Sequence, residues 1–297
     1  SAKALDGVDL IWGFDYQRDV ANGLGRKNQG AFFELLSDFS QAFFVTAGIR
    51  HDDNEDFGTN TSFRLSTAYL FETEFGTLKF KAALGSGFRA PSPFEIQYNR
   101  GPYAFTPATK DQLFQEESKG WEFGAQFNTQ ELHLEATLFD QSISNAIFFD
   151  LLSFSGYLQD EGRSASSGIE LVADYRITEM LRVSGNYTYN KTERPDGSQR
   201  LRRPNHLFNF GLRFASLNNK MTMNAFYRSQ AEAIDVGDTA LEDFGVLDLT
   251  AAFQVNETLR IYGRLENALD EDYQEISDYN TAGFAAYVGI SLKLAAF

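Results

Sequence analysis

Apolar and polar side chains alternate along this chain with a period of two residues. Within the stretch 181–190, Leu181, Val183 and Tyr187 occupy odd positions, while the even positions are polar. Successive side chains of a β-strand point to opposite faces, so this stretch predicts a strand with one apolar and one polar face. The stretches 121–127, 132–138 and 259–266 repeat the pattern. A helix would scatter these side chains around its axis, so the alternation excludes a helical bundle.

The pattern predicts an all-β fold, an antiparallel transmembrane β-barrel of about 14 strands, with residues 1–297 as one domain. Most of the predicted strands reach about ten residues, whereas the strands of soluble β-sandwiches average about five to six. The predicted strands lie near 7–17, 29–37, 41–51, 61–72, 76–87, 118–128, 131–149, 156–176, 180–191, 205–215, 219–229, 244–255, 258–268 and 282–296.

The predicted connections alternate between short and long. This alternation is typical of outer-membrane barrels, which have tight turns on one rim and elaborated loops on the other. The short connections are 37–41, 72–76, 128–131, 177–180, 216–219 and 255–258. The long connections are 19–28, 52–60, 88–117, 192–204, 229–243 and 268–282.

Composition excludes several classes of protein. The chain has 26 basic and 41 acidic residues, a formal net charge of −15, which argues against a nucleic-acid partner. The absence of cysteine excludes a disulfide scaffold and a thiol nucleophile. No run approaches the ~18 apolar residues of a membrane helix, but a barrel hides its hydrophobicity in alternation.

The two predicted faces differ in chemistry. The apolar face carries aromatic residues that resemble an interfacial girdle, namely Trp12, Phe14, Tyr16, Trp121, Tyr175, Tyr187, Tyr189 and Tyr227. The other face carries charges that need water or a polar filling, among them Arg64, Lys81, Glu122, Glu135, Glu170, Asp174, Arg182, Arg213, Arg228 and Arg264. A porin would use the same residues as a channel wall.

Four motifs, in order along the chain, carry a family resemblance. They are the GFRAPS segment with Gly87, Phe88, Arg89 and Pro91; RSASSGIE at 163–170; LRRPNH at 201–206 with Arg203 and Pro204; and LENALDEDY at 265–273 with Asn267, Asp270 and Tyr273. The chain also ends on an aromatic residue, Phe297, which suits the outer-membrane assembly signal. Together these features resemble the TonB-dependent outer-membrane receptors, most closely the cobalamin and siderophore receptor group.

This resemblance implies a location, partners and a function. Receptors of this kind reside in the outer membrane of Gram-negative bacteria, contact lipid and lipopolysaccharide, and import a scarce ligand such as cobalamin or an iron–siderophore complex. They couple to TonB through a plug domain, and their barrels have 22 strands. Nothing in residues 1–30 resembles a plug, so we expect the carboxy-terminal part of such a barrel. The alternatives are a smaller barrel that closes alone and a passive 14-stranded channel or fatty-acid-type transporter.

The long connection 88–117 is the predicted ligand-binding loop. Its aromatic residues Tyr98, Tyr103 and Phe105 could form a floor for a flat ligand, and Arg100 adds a positive charge. This combination suits a planar, partly anionic metal chelate. The alternative interpretation is that these aromatic side chains pack loop against loop.

A second candidate site lies in the acidic stretch 52–56. Asp52, Asp53 and Asp56 could supply oxygen ligands for calcium, although their spacing is not that of an EF-hand. The alternative is a solvated acidic loop. We predict no other cofactor. The three histidines, at 51, 133 and 206, have no carboxylate at triad-like spacing, so the sequence predicts that the chain is not an enzyme.

Overall fold

A computed structural model of the chain describes residues 2–5, 7–21, 24–110, 112–216, 218 and 220–293. The described residues form one short helix, α1 (Pro93–Arg100), and nineteen strands. The strands are β1 (Ala2–Leu5), β2 (Val8–Ala21), β3 (Leu24–Phe39), β4 (Phe43–Asn54), β5 (Gly58–Thr73), β6 (Gly76–Arg89), β7 (Glu116–Asn128), β8 (Leu132–Ser144), β9 (Ile147–Phe149), β10 (Tyr157–Gln159), β11 (Arg163–Arg176), β12 (Leu181–Glu193), β13 (His206–Ala215), β14 (Met221–Ala231), β15 (Ala233–Asp235), β16 (Thr239–Leu241), β17 (Phe244–Gln254), β18 (Leu259–Glu266) and β19 (Ala285–Leu292).

Fifteen of the described strands form one antiparallel sheet in which each strand pairs with its neighbours along the chain. The remaining four form two small hairpins, β9–β10 and β15–β16, which lie in the connections between strands of the large sheet. Among the described residues, no helix has both the length and the apolar character needed to cross a bilayer. The all-β antiparallel architecture predicted from the alternation is confirmed.

The fourteen predicted strands correspond to the fourteen long strands of the sheet, with two differences. The four-residue β1 was not predicted, because it is too short to show a period. The predicted strands 131–149 and 156–176 each run too far, since β9 and β10 leave the large sheet and pair with each other, Phe149 opposite Tyr157. The break occurs at Asn145, which has a positive φ of 58° that the alternation does not reveal.

The connections also need one correction. The strands that flank the six predicted short connections end and begin close to them. The predicted long loops at 19–28 and 52–60 are too long, because β2 extends to Ala21 and β3 begins at Leu24, and because β4 extends to Asn54 and β5 begins at Gly58. Asp19 pairs with Arg26 across the β2–β3 ladder, and Asp53 pairs with Thr59 across β4–β5. Polar residues stand on both faces of these strand ends, and that composition suggested a loop.

The two faces of the sheet are as predicted. Leu171 of β11 stands opposite Ala136 and Tyr187 on the apolar face, and the adjacent Glu170 stands opposite Thr137 and Thr188 on the polar face. The apolar face is open: the side chain of Trp12 is 67% exposed. Large apolar side chains exposed in this way are typical of a surface covered by lipid.

Several charged side chains of the polar face pair with one another, within a strand, between neighbouring strands or between strands two apart. The guanidinium of Arg50 donates to Asp15 on β2, at 2.6 Å, and to Asp52 two residues along its own strand, at 2.7 Å. Lys81 donates to Glu135, two strands away, and Arg182 pairs with Asp174 at 2.7 Å. The polar face therefore carries part of its charge in ion pairs, whereas Arg64, Glu122 and Glu170 form none with the described residues.

Fully buried side chains concentrate at one end of the sheet. We call this end, which holds α1 and both hairpins, the long-loop end, and the opposite end the short-turn end. Ala108, Leu113, Ala233, Leu241 and Phe244 are buried in the loops or where strands enter them. The long loops are consequently packed structures, and they hold the candidate site.

Candidate functional site

The predicted ligand loop is anchored to the sheet by the GFRAPS segment. Arg89, the last residue of β6, donates to Glu95 of α1 at 3.0 Å and to Glu116, the first residue of β7. The Ser92 hydroxyl accepts from the Glu95 amide, and the Glu95 carboxylate accepts from the Ser92 amide, which forms a capping box. The motif therefore begins α1 and holds both ends of the loop together.

A second anchor comes from a neighbouring strand. The guanidinium of Arg26 on β3 donates to the carbonyl of Pro91 and lies 5.7 Å from the ring centre of Phe57 in the β4–β5 turn. Arg26 is buried, and Pro91 is fully buried. The start of α1 is thus held against the β2–β3 and β4–β5 hairpins.

One face of α1 packs into an aromatic cluster. Tyr98 lies 5.5 Å from Phe149 and 5.6 Å from Tyr157, both in edge-to-face geometry, and Phe94 lies 6.3 Å from Tyr157. Phe154 extends the cluster from the β9–β10 turn. Edge-to-face pairs at these distances stabilise packed aromatic clusters. Tyr98 therefore packs loop against loop, which was the alternative to ligand contact.

The opposite face of α1 borders a cavity of about 480 Å³. Residues three or four apart share a helix face, and Ile96, Asn99 and Arg100 line this cavity together. The other walls come from the β4–β5 turn, with Asp56 and Phe57, and from the stretches 108–110 and 112–113 between α1 and β7, with Ala108, Thr109, Lys110, Gln112 and Leu113.

The four predicted ligand-binding residues do not meet in one place. Tyr98 and Arg100 point to opposite sides of α1, the first to the aromatic cluster and the second to the cavity. Tyr103 is 79% exposed, and Phe105 is half exposed with its amide bonded to the carbonyl of Ser155. Their role in ligand binding stays a prediction. The three aromatic side chains do not form the single flat surface that the sequence suggested.

The three predicted calcium ligands are also apart. Asp52 lies on β4, almost fully buried, and accepts hydrogen bonds from Arg50 and Asn28. Asp53 follows on the same strand and therefore faces the other side of the sheet. Asp56 lines the cavity beside α1. In the described ranges, no group of three or more acidic or histidine side chains is placed to hold a metal, so calcium stays a prediction without structural support.

The LRRPNH segment is joined to two other loops through Asp235, a residue that the sequence analysis did not identify. Arg202 Nε donates to the carboxylate of Asp235 on β15, which also accepts from the amides of Val236 and Ser277. Burial raises the pKa of Asp235, but these hydrogen bonds outweigh it and hold that pKa below its usual range. Arg203 is exposed, and Pro204 leads into β13.

The LENALDEDY segment folds the loop between β18 and β19. Asn267, with a positive φ of 46°, donates to the carbonyls of Glu271 and Ala282. Asp270 accepts from the amide of Phe284 at 2.8 Å. Side chains that hydrogen-bond nearby backbone groups favour such turns, which explains why Asn and Asp occupy these positions.

Tyr273 of the same motif fixes this loop over the polar face. Its ring lies 4.3 Å from that of Phe244, and its hydroxyl accepts from Arg228 at 2.7 Å. Arg228 also pairs with Glu275 at 2.8 Å. Asn267, Asp270 and Tyr273 therefore hold this loop in place. The terminal Phe297 lies outside the described residues.

The histidines do not form a catalytic group. His51 contacts Thr61, His133 contacts Asn128 and His206 contacts Tyr187, each through Nδ1. Glu135 and Glu232 lie 3.8 and 3.7 Å from the other ring nitrogens of His133 and His206. Among the described residues, no serine hydroxyl hydrogen-bonds to any of the three, so the arrangement gives no support to a hydrolase.

Sequence reasoning missed the residues that hold the loops together. Asn99 exchanges two hydrogen bonds with the backbone of Tyr157, at 2.7 and 2.8 Å. Asp150 caps the β9–β10 turn by accepting from Ser153 and Ser155. An aspartate followed by serines three and five residues later has the composition of a turn, and this signal could have identified Asp150. No local signal identifies the role of Asp235, because Arg202 and Ser277, the partners that it joins, are each more than 30 residues away.

Comparison with known proteins identifies the family of this chain. The family model "TonB dependent receptor-like, beta-barrel" matches residues 3–268. The chain belongs to this family. The fold predicted from the sequence, a transmembrane β-barrel of a TonB-dependent receptor, is thereby confirmed, and the polar face is the inner wall of the barrel. Families of this kind consist of bacterial outer-membrane receptors and not of enzymes.

Two relatives with curated names are vitamin B12 transporters. The chain is 26% identical over 304 residues to the vitamin B12 transporter BtuB of Photobacterium profundum. This alignment covers 98% of this chain and 48% of the relative. It is 24% identical over 275 residues to BtuB of Vibrio cholerae, covering 90% of this chain and 43% of the relative. The chain therefore spans about half the length of the curated relatives that it matches.

Solved structures of a copper transporter and of a siderophore receptor share the fold. The copper transporter OprC superposes with a TM-score of 0.74 at 18% identity, covering 97% of this chain and 55% of OprC. The siderophore receptor PirA from Pseudomonas aeruginosa gives 0.71 at 18% identity, covering 96% and 53%. At these identities the likeness concerns the fold alone.

Proposed function

We propose that this chain is the barrel portion of an outer-membrane importer that takes up a scarce ligand such as cobalamin or an iron–siderophore complex. The observation that carries the proposal is the family match over residues 3–268. The names of the relatives support it, since they include vitamin B12 transporters, and siderophore receptors share the fold.

The barrel contributes passage and surface and performs no covalent chemistry. Its apolar face would contact lipid and lipopolysaccharide in the outer membrane of a Gram-negative bacterium. Its packed loops would present the ligand-binding surface. Coupling to TonB would be made by a plug domain outside this barrel portion. The ion pairs on the inner wall, such as Arg50 with Asp52, would neutralise part of the charge along the passage.

Uptake by the full-length receptor tests the proposal. The receptor gene is expressed in two strains that lack their own cobalamin and ferric-siderophore receptors, one with TonB and one without. We expect accumulation of radiolabelled cyanocobalamin or of a ⁵⁵Fe chelate only in the strain with TonB, because energy-coupled import requires it. Equal accumulation in both strains would contradict the proposal and favour the passive channel. A receptor with an in-frame deletion of α1 serves to show that the loops take part.

A further inference from the structure

The cavity between α1 and the β4–β5 turn combines an apolar interior with positive charge. Ile96, Phe57 and the buried Leu113 supply the apolar surface. Arg100 and Lys110 stand at its margin, and both side chains are exposed. A concave apolar site with a few polar groups is the usual form of a small-molecule site, and the volume of about 480 Å³ is in the range of such sites.

The two cations of this cavity differ from those that hold the loops together. Arg89, Arg202 and Arg228 each pair with a carboxylate at 3.0 Å or less. Within the described part of the chain, neither Arg100 nor Lys110 forms an ion pair. Asp111, which follows Lys110 in the sequence, is not among the described residues. In a chain of net charge −15, cations left free beside a cavity attract anions locally.

The walls of the cavity are held in place without a ligand. Asn99, which lines it, is bonded twice to the backbone of Tyr157. Arg26 holds Phe57 on one side and Pro91, at the start of α1, on the other. Fixed walls lower the ordering cost of binding, so even a small ligand can bind measurably.

We propose that this cavity binds an anionic oxygen group, such as a carboxylate, carried on an apolar body, and that it recognises this part of the imported ligand. The oxygens would accept hydrogen bonds from Arg100 and Lys110, and the apolar body would contact Ile96, Phe57 and Leu113. Asp56 lines the same cavity and opposes the anion, so it limits the affinity. The inference rests on the proposed function for the identity of the ligand but not for the site itself.

A pair of probes that differ mainly in charge tests the site. Purified full-length receptor in detergent is titrated with 4-fluorobenzoate and with the uncharged 4-fluorobenzamide, and binding is followed by fluorine NMR against empty micelles. We expect the benzoate to bind at least several-fold more tightly and to weaken as salt is added, because charge dominates its recognition. Equal affinity of the two probes would overturn the proposal.

Three substitutions assign the binding to this cavity. We expect Arg100→Ala and Lys110→Ala each to weaken benzoate binding by about two- to fivefold, the range of an exposed ion pair, and Asp56→Asn to strengthen it by a similar factor. Lys119→Ala removes the same charge from the apolar face of β7 and should change nothing. Heat-modifiable migration confirms that each variant is folded. Unchanged affinity in the first two variants would contradict the site.

Uptake in the same variants separates this inference from the proposed function. TonB-dependent uptake that is insensitive to Arg100→Ala and Lys110→Ala would overturn the role of the cavity in import and leave the proposed function standing. Benzoate binding that depends on both residues, in a receptor whose uptake does not need TonB, would retain the anion site and overturn the proposed function.

Discussion

The guanidinium of Arg202 donates a 2.7 Å hydrogen bond to the carboxylate of Asp235, which is 1% exposed. The same carboxylate accepts from the amide of Ser277 at 2.7 Å. One buried side chain therefore connects the loop before β13, the β15–β16 hairpin and the loop before β19. Because three loops depend on it, Asp235 controls the shape of this half of the long-loop end.

The first prediction concerns this connection. Asp235→Asn keeps the side-chain shape but removes the charge, and a hydrogen bond to a charged group contributes roughly 1.5–3 kcal/mol. We therefore expect hydrogen exchange at Ser277 to accelerate about 10- to 100-fold, with barrel melting nearly unchanged. Mass spectrometry of peptides from 267–284 measures it. Asp238→Asn, in the exposed turn of the same hairpin, is the control, and equal exchange in both variants would contradict the prediction.

The second prediction concerns the two faces of the barrel. Leu171→Arg places a charge on the apolar face of β11, which should destabilise the barrel by about 2–4 kcal/mol near the bilayer midplane. Asn186→Arg lies at a similar depth on the polar face, where water solvates it, and should cost far less. Urea unfolding in lipid vesicles compares them. Similar losses in the two variants would mean that the faces are assigned wrongly.

The third prediction separates packing from ligand contact in the predicted ligand loop. Tyr98→Ala removes the central ring of the aromatic cluster, so we expect α1 to loosen and limited proteolysis to cleave the segment 93–115 faster. Tyr103→Ala removes an exposed ring and should leave the proteolysis rate unchanged. If uptake also falls in Tyr103→Ala, this residue contacts the ligand. Equal cleavage of both variants would show that the cluster does not hold α1.

Most of the sheet could be predicted from the sequence, because one period fixes both the secondary structure and the face of each side chain. The stretch 259–266 shows this: Leu265 and Ile261 lie on the apolar face, and Arg264 lies on the polar face. The GFRAPS and LENALDEDY segments lie where two of the long loops begin. What failed were the strand ends at 19–28 and 52–60, because polar residues on both faces resemble a loop in sequence.

The candidate site was less predictable, since its geometry depends on contacts between distant segments. The types of residue in the loop 90–115 suggested aromatic and cationic contacts with a ligand. Only the helical geometry of α1 shows that Tyr98 and Arg100 face opposite sides. The buried Asp235 and the role of Arg26 could not have been inferred, because their partners come from other loops.

The fourth prediction concerns Asp150, which lies in the β9–β10 turn outside the membrane. Hydrogen bonds from Ser153 and Ser155 hold the pKa of Asp150 well below its usual range. Because the pKa of Asp150 is lower in the folded loop than in the unfolded chain, ionisation of Asp150 stabilises the folded loop. This stabilisation is complete above the unfolded-state pKa of about 3.9, and it is lost as the pH falls through the folded-state pKa. We expect carbon NMR to show the Asp150 carboxylate still ionised near pH 3, and Ser153→Ala to move its titration upward. Protection of the turn should then persist to lower pH in the native chain than in the variant, and identical titrations would contradict the assignment.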